Sequence, residues 1–89
     1  MSAQLQARAK VFLERPIPGG LDYVRDSIAE RLIATYAKKG KLPDDPDGPE
    51  LLELAAMESS QMAETQSDEE VAAYFRESTA ILEAILAEG

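Results

Sequence analysis

The chain has 89 residues and a formal net charge of −8, and it contains no cysteine, histidine or tryptophan. This length allows one domain, spanning residues 1–89. The missing cysteine excludes disulfides and thiolate metal sites, and the missing histidine removes the commonest general base and transition-metal ligand. Hydrophobic residues, mostly Ala and Leu, make up 45% of the chain, which favours an ordered helical domain over a disordered one.

The charges are distributed unevenly along the chain. Residues 1–42 contain eight basic and four acidic side chains, a net charge of +4. Residues 43–89 contain thirteen acidic side chains and one basic one, Arg76, a net charge of −12. This acidity exceeds what solubility requires of so small a domain. Because crowded like charges destabilise a compact fold, the excess indicates compensation by a basic partner or by the basic half of a second copy.

The first predicted helix spans residues 2–14. Its apolar face consists of Leu5, Ala9, Phe12 and Leu13, which recur at helical spacing. Prolines and glycines in residues 15–20 end the helix, because each proline lacks an amide donor and the glycines free the backbone to turn.

The second predicted helix spans residues 22–39. Its apolar stripe consists of Val24, Ile28, Leu32 and Tyr36, widened by Leu21, Ile33 and Ala37. The same spacing predicts that Glu30 faces solvent. Lys38 and Lys39 suit the negative end of the helix dipole, and Gly40 suits the left-handed position that follows a helix.

The third predicted helix spans residues 49–65, with Pro49 at its first position. Its apolar face is the weakest of the four and consists of Leu51, Leu52, Leu54, Ala55, Met57 and Met62. Glu58 interrupts this face. The small residues Ala55, Ala56, Ser59 and Ala63 would allow another helix to approach closely.

The fourth predicted helix spans residues 68–87 and has the clearest pattern. We expect a capping box in which the Ser67 hydroxyl accepts a hydrogen bond from the Glu70 amide. The apolar stripe consists of Val71, Phe75, Leu82 and Leu86, joined by Tyr74, Ile81 and Ile85. Together the four segments predict an all-α fold, a compact up-down bundle of three or four helices. The core of this bundle is modest, and dimerisation would help to complete it.

The residues that metal and catalytic chemistry would need are missing. Residues 44–48 are similar to a calcium-binding EF-hand loop, but that alignment places Pro43 and Leu54 at two essential ligand positions. Glu50 and Glu53 lie one turn apart, yet no Glu-x-x-Asp pair follows to complete a helical magnesium site. We therefore expect a protein that is not an enzyme and that uses no cofactor, metal or small-molecule substrate.

The leading functional hypothesis is a small acidic protein-binding module. Its most concrete form is an inhibitor, antitoxin or immunity-type regulator that covers the surface of a basic partner, with acids that steer the encounter. The residues predicted to bind the partner are Glu58, Met62, Glu64, Glu69, Glu77 and Glu83, with Met57 as a further adaptable apolar contact.

Two alternatives follow from the same sequence. One is a homo-oligomeric structural or adaptor protein, in which the small-residue face of the third helix meets a second copy. The other is a DNA-binding transcriptional regulator that uses the basic N-terminal half, although the acidic overall charge makes nucleic acid the weaker partner. No apolar run spans a membrane and no secretory signal is recognisable, so we expect a cytoplasmic protein that does not bind membranes.

Overall fold

A computed structural model describes residues 3–15, 27–40 and 48–88 of the chain. It contains the helices α1 (Ala3–Glu14), α2 (Ile28–Lys39), α3 (Gly48–Thr65) and α4 (Glu69–Glu88). No strand occurs in these three ranges. The predicted all-α bundle is therefore confirmed, with four helices in the described part of the chain.

The helices alternate in direction around the bundle. Gln6, near the start of α1, donates a hydrogen bond to the carbonyl of Ala37, near the end of α2, at 2.9 Å. The hydroxyls of Ser59 and Ser78 lie 3.2 Å apart across α3 and α4, which only residues 66–68 connect. Within the described ranges, α1 and α3 both contact α2 and α4 but do not contact each other. They therefore occupy opposite corners, as in the predicted up-down arrangement.

The core lies mainly along α4, which packs against all three other helices. The largest fully buried side chains are Phe12, Ile33, Tyr36, Leu52, Ile81, Leu82 and Ile85. The rings of Phe12 and Tyr74 stack with their centroids 5.0 Å apart, which joins α1 to α4. Across the residues that the structure describes, every helix is too short or too polar to traverse a lipid bilayer.

The ends of α2 test the predicted boundaries of that helix. Gly40 has φ +71° and its amide donates to the carbonyl of Tyr36 at 2.7 Å, which confirms the predicted left-handed cap. At the other end, Ser27 has an extended backbone and its hydroxyl accepts from the Glu30 amide at 3.2 Å. The helix therefore begins at Ile28 and does not continue through Ser27 as predicted, while residues 22–26 lie outside the described residues.

Two side chains of α2 differ from the prediction in whether they face the core or the solvent. Glu30, expected to face solvent, is only 3% exposed, and Ile28, expected in the apolar stripe, is 46% exposed. Both residues lie in the first turn of α2, where hydrophobic spacing alone does not determine which side of the helix the rest of the bundle covers. The remaining described part of the stripe, Leu32, Ile33, Tyr36 and Ala37, is buried as predicted.

The start of α4 is capped one residue later than expected. The Glu70 amide donates to Oδ1 of Asp68 at 2.9 Å, rather than to the Ser67 hydroxyl, and the helix begins at Glu69. A carboxylate in this position both accepts the amide hydrogen and interacts favourably with the helix dipole. Asp68 therefore caps the helix in place of the predicted Ser67, although the predicted start of the helix is nearly correct.

Leu52 and Leu54 of α3 provide a matched pair for testing the packing. We expect Leu52→Ala, at a fully buried position, to lower the free energy of unfolding by about 2–5 kcal/mol. We expect Leu54→Ala, at a position 52% exposed, to change it by less than about 0.5 kcal/mol. Urea denaturation followed by circular dichroism measures both values, and equal losses would contradict the orientation of α3.

Two tyrosines provide a second matched pair, in which replacement by phenylalanine is expected to change the free energy of unfolding differently. The Tyr36 hydroxyl donates to Oε1 of Glu88 at 2.5 Å, and burial together with this bond raises the pKa of Tyr36 to about 12. The Tyr74 hydroxyl is buried and has no hydrogen-bond partner within the described residues. We expect Tyr36→Phe to destabilise the fold by about 1 kcal/mol and Tyr74→Phe to be neutral or stabilising, because only the second removes an unsatisfied group. Thermal unfolding at neutral pH tests this, and destabilisation by both variants would contradict it.

Candidate partner-binding face

The helix α3 has a buried face of small and apolar side chains and an outer face that contains exposed apolar ones. Leu52, Ala55 and Ser59 are buried, whereas Leu54 is 52% exposed and Met57 is 56% exposed. At about 100° per residue, Leu54 and Met57 project from the side opposite the buried residues. The apolar face predicted for this helix is therefore divided between two sides, with Leu52 and Ala55 in the core and Leu54 and Met57 at the surface.

Acidic side chains surround these two apolar ones. Glu50, Glu53, Glu58 and Glu64 are all exposed, and helical spacing places them on the same side of α3 as Leu54 and Met57. The helix contains no basic residue. Among the described residues, none of the four glutamates forms an ion pair. We call these six residues the outer face of α3.

A groove runs along the surface between α3 and α4 beside this outer face. Its volume is about 440 Å³. From α3 it is lined by Ser60, Ala63 and Glu64, and from α4 by Arg76, Thr79, Ala80 and Glu83. Small side chains therefore form most of the lining, and two of the acids predicted to bind a partner, Glu64 and Glu83, contribute to it.

The other predicted acids of α4 form ion pairs within the chain. Glu77 accepts two hydrogen bonds from the guanidinium of Arg8, at 2.7 and 2.8 Å, which joins α1 to α4. This bond holds the pKa of Glu77 below its usual range and raises that of Arg8. Glu69, at the first position of α4, pairs with Arg76 two turns further along the same helix.

The structure thus separates the predicted partner-binding residues into three groups. Glu58 and Glu64 lie exposed on α3, and Glu83 lies exposed on α4. Glu69 and Glu77 are paired with arginines of this chain. Met62 is half-buried and packs against the core. Sequence reasoning missed Leu54 as a surface residue, although its spacing of two residues from Leu52 places it about 200° away from that buried side chain.

The described residues contain no group of three or more acidic side chains arranged to hold a metal ion. Comparison of the chain with protein-family models, with curated proteins and with solved structures finds no match. The candidate site is therefore supported by its geometry, which is that of an acidic surface with an apolar centre.

The Arg8–Glu77 pair makes a pH-dependent contribution to stability. Since the folded-state pKa of Glu77 lies below 4.5, the contribution is present above that pH and is lost as pH falls through the lowered pKa. Arg8 is 45% exposed and solvent screens the pair, so we expect a coupling of about 0.2–1 kcal/mol. A double-mutant cycle with Arg8→Gln and Glu77→Gln should give this coupling at about pH 7 and almost none at about pH 2. A coupling that persists in acid would show that the contact is not ionic.

Proposed function

We propose that this protein is a non-enzymatic acidic binding module that covers a basic surface of another protein. Its most specific form is an inhibitor of the antitoxin or immunity class, which blocks the partner by covering its functional surface. The outer face of α3 is the observation that supports this proposal.

The centre of that face is suited to affinity. Leu54 and Met57 expose more than half of their surface, whereas Leu52, Ala55 and Ala56 of the same helix are buried. Large apolar side chains at the centre of a patch provide most of the binding energy in protein interfaces, once surrounding contacts exclude water. The flexible thioether side chain of Met57 adapts its shape to the surface it meets.

The rim of the face is suited to partner selection. Four glutamates without an ion pair among the described residues surround the apolar centre. Such a field accelerates encounter with a positive surface and disfavours an acidic one. The neighbouring like charges Glu50 and Glu53, three residues apart, weaken the isolated helix slightly, and a cationic partner would relieve that repulsion.

Among the described residues, every basic side chain lies outside α3. Lys10 on α1 and Arg31, Lys38 and Lys39 on α2 are exposed. Because α1 does not contact α3, Lys10 is separated from the acids of α3 across the bundle, whereas α2, which carries the other three, does contact α3. A basic partner would therefore be oriented toward α3 and away from α1.

The proposal is tested first with variants of the apolar centre. The chain serves as bait in an extract of its native host, and the captured protein is purified and its binding reconstituted. We expect Leu54→Ser/Met57→Ser to weaken the reconstituted affinity by about tenfold or more, as loss of a central contact does. Val11→Ser is the matched control, because Val11 is 60% exposed on α1, which does not contact α3. Equal effects of the two variants, or an acidic captured protein, would contradict the proposal.

A second test separates the charges from the apolar centre. We expect Glu50→Gln/Glu53→Gln to lower the association rate constant and its dependence on salt, with little change in the dissociation rate. Glu14→Gln/Glu70→Gln changes the net charge equally at exposed positions outside α3 and should have a smaller effect. Surface plasmon resonance at two ionic strengths measures these rates. If the chain captures only itself, with a discrete oligomeric mass, the homo-oligomeric alternative replaces the proposal.

A further inference from the structure

We infer that the groove between α3 and α4 receives a basic α-helix of the partner. This inference rests on the proposed function and names the element of the partner that binds there. It depends on three properties of the groove: a lining with several small side chains, its length, and two acidic side chains that form no ion pair with the described residues.

The lining permits a third helix to approach closely. Ser60 and Ala63 from α3 and Ala80 from α4 have short side chains, and Thr79 is only slightly larger. Helices pack at the smallest interaxial distances, about 8 Å, where the side chains between them are small. An amphipathic helix that lies along two parallel or antiparallel helices is a recurrent mode of recognition.

The length of the groove matches two turns of a helix. On α4 it extends from Arg76 to Glu83, a separation of seven residues, which at 1.5 Å per residue is about 10.5 Å. A docked helix presents anchors at positions i, i+3 or i+4, and i+7, and these span the same distance. Two or three side chains of one helix would therefore occupy the volume of about 440 Å³.

The charges of the groove favour a cationic occupant. Arg76 is the one basic residue of α3 and α4, and its guanidinium is paired with Glu69 of the same helix. Glu64 and Glu83, which lie in the lining, form no ion pair with the described residues. Arginine or lysine side chains at the ends of the docked segment would complement them.

A second copy of this chain is a less suitable occupant. Two copies each carry a net charge of −8, so association between them is opposed by long-range repulsion. A basic helix from a different protein meets no such repulsion. The experiment below treats self-association as a separate outcome.

The test uses isotope-labelled protein and a synthetic peptide of about 18 residues, five helical turns, with alanine and leucine on one face and arginines seven residues apart. Backbone amide shifts are followed during titration with this peptide and with a version in which each arginine is glutamate. We expect saturable changes in the amide shifts of residues 60–64 and 76–83 with the basic peptide and none with the acidic peptide.

Variants then test which residues of the groove contribute to binding. Ala63→Gln/Ala80→Gln fills the groove without changing charge, and we expect it to weaken binding by about tenfold or more, while Ala7→Gln on α1 leaves binding unchanged. Glu64→Gln/Glu83→Gln preserves size and should weaken binding by about three- to tenfold. Arg76→Gln should strengthen it by about two- to threefold, because the change removes a like charge and frees Glu69. The glutamine variants of the acids keep the test valid if the filled groove destabilises the fold.

The outcomes separate this inference from the proposed function. Binding that Leu54→Ser/Met57→Ser abolishes and Ala63→Gln/Ala80→Gln leaves intact would overturn the groove as the site but leave the proposed function in place. Shifts in the groove that depend on protein concentration without peptide would identify a second copy as the occupant and overturn the inference. Absence of peptide binding, or equal binding of the acidic peptide, would overturn the inference, whereas capture and reconstitution of the natural partner decide the proposed function separately.

Discussion

Ala55, Ala56 and Ser59 give α3 a buried face of small side chains, and α4 packs directly against it. The hydroxyls of Ser59 and Ser78 meet at 3.2 Å in this interface, so each polar group is satisfied by the other. This contact determines the rotation of α3 about its own axis. Once Ser59 faces α4, Leu54 and Met57 face solvent, and Ala63 and Ala80 line the groove at the surface.

The acidic residues of the second half divide between two roles because of this packing. Glu77 lies where α4 passes α1, and its bidentate pair with Arg8 joins the two helices. The glutamates of α3 lie at the corner opposite α1 and are separated from its basic residues. The bundle thus neutralises part of its charge internally and leaves the acids of α3 exposed around an apolar centre.

Much of the fold could be predicted from particular residues. The spacing of Val71, Phe75 and Leu82 predicts the buried side of α4, and Gly40 marks the end of α2, because glycine adopts positive φ without strain. The candidate site was less predictable. Glu64 and Glu83 were predicted as surface acids, but that they line one groove depends on how α3 and α4 are aligned, which neither residue's own helix determines.

Helix propensity, capping and charge are local properties, so the all-helical class, most helix ends and the concentration of acid in the second half can be read from the amino-acid sequence. Which side of a helix is covered depends on its neighbours wherever the hydrophobic pattern is ambiguous. Glu30 is buried, and Ile28, Leu54 and Met57 are exposed, although hydrophobicity favours the reverse in each case. Burial depends on the positions of neighbouring helices: α3 packs closely against α4 and also contacts α2, and neither covers the side that carries Leu54 and Met57.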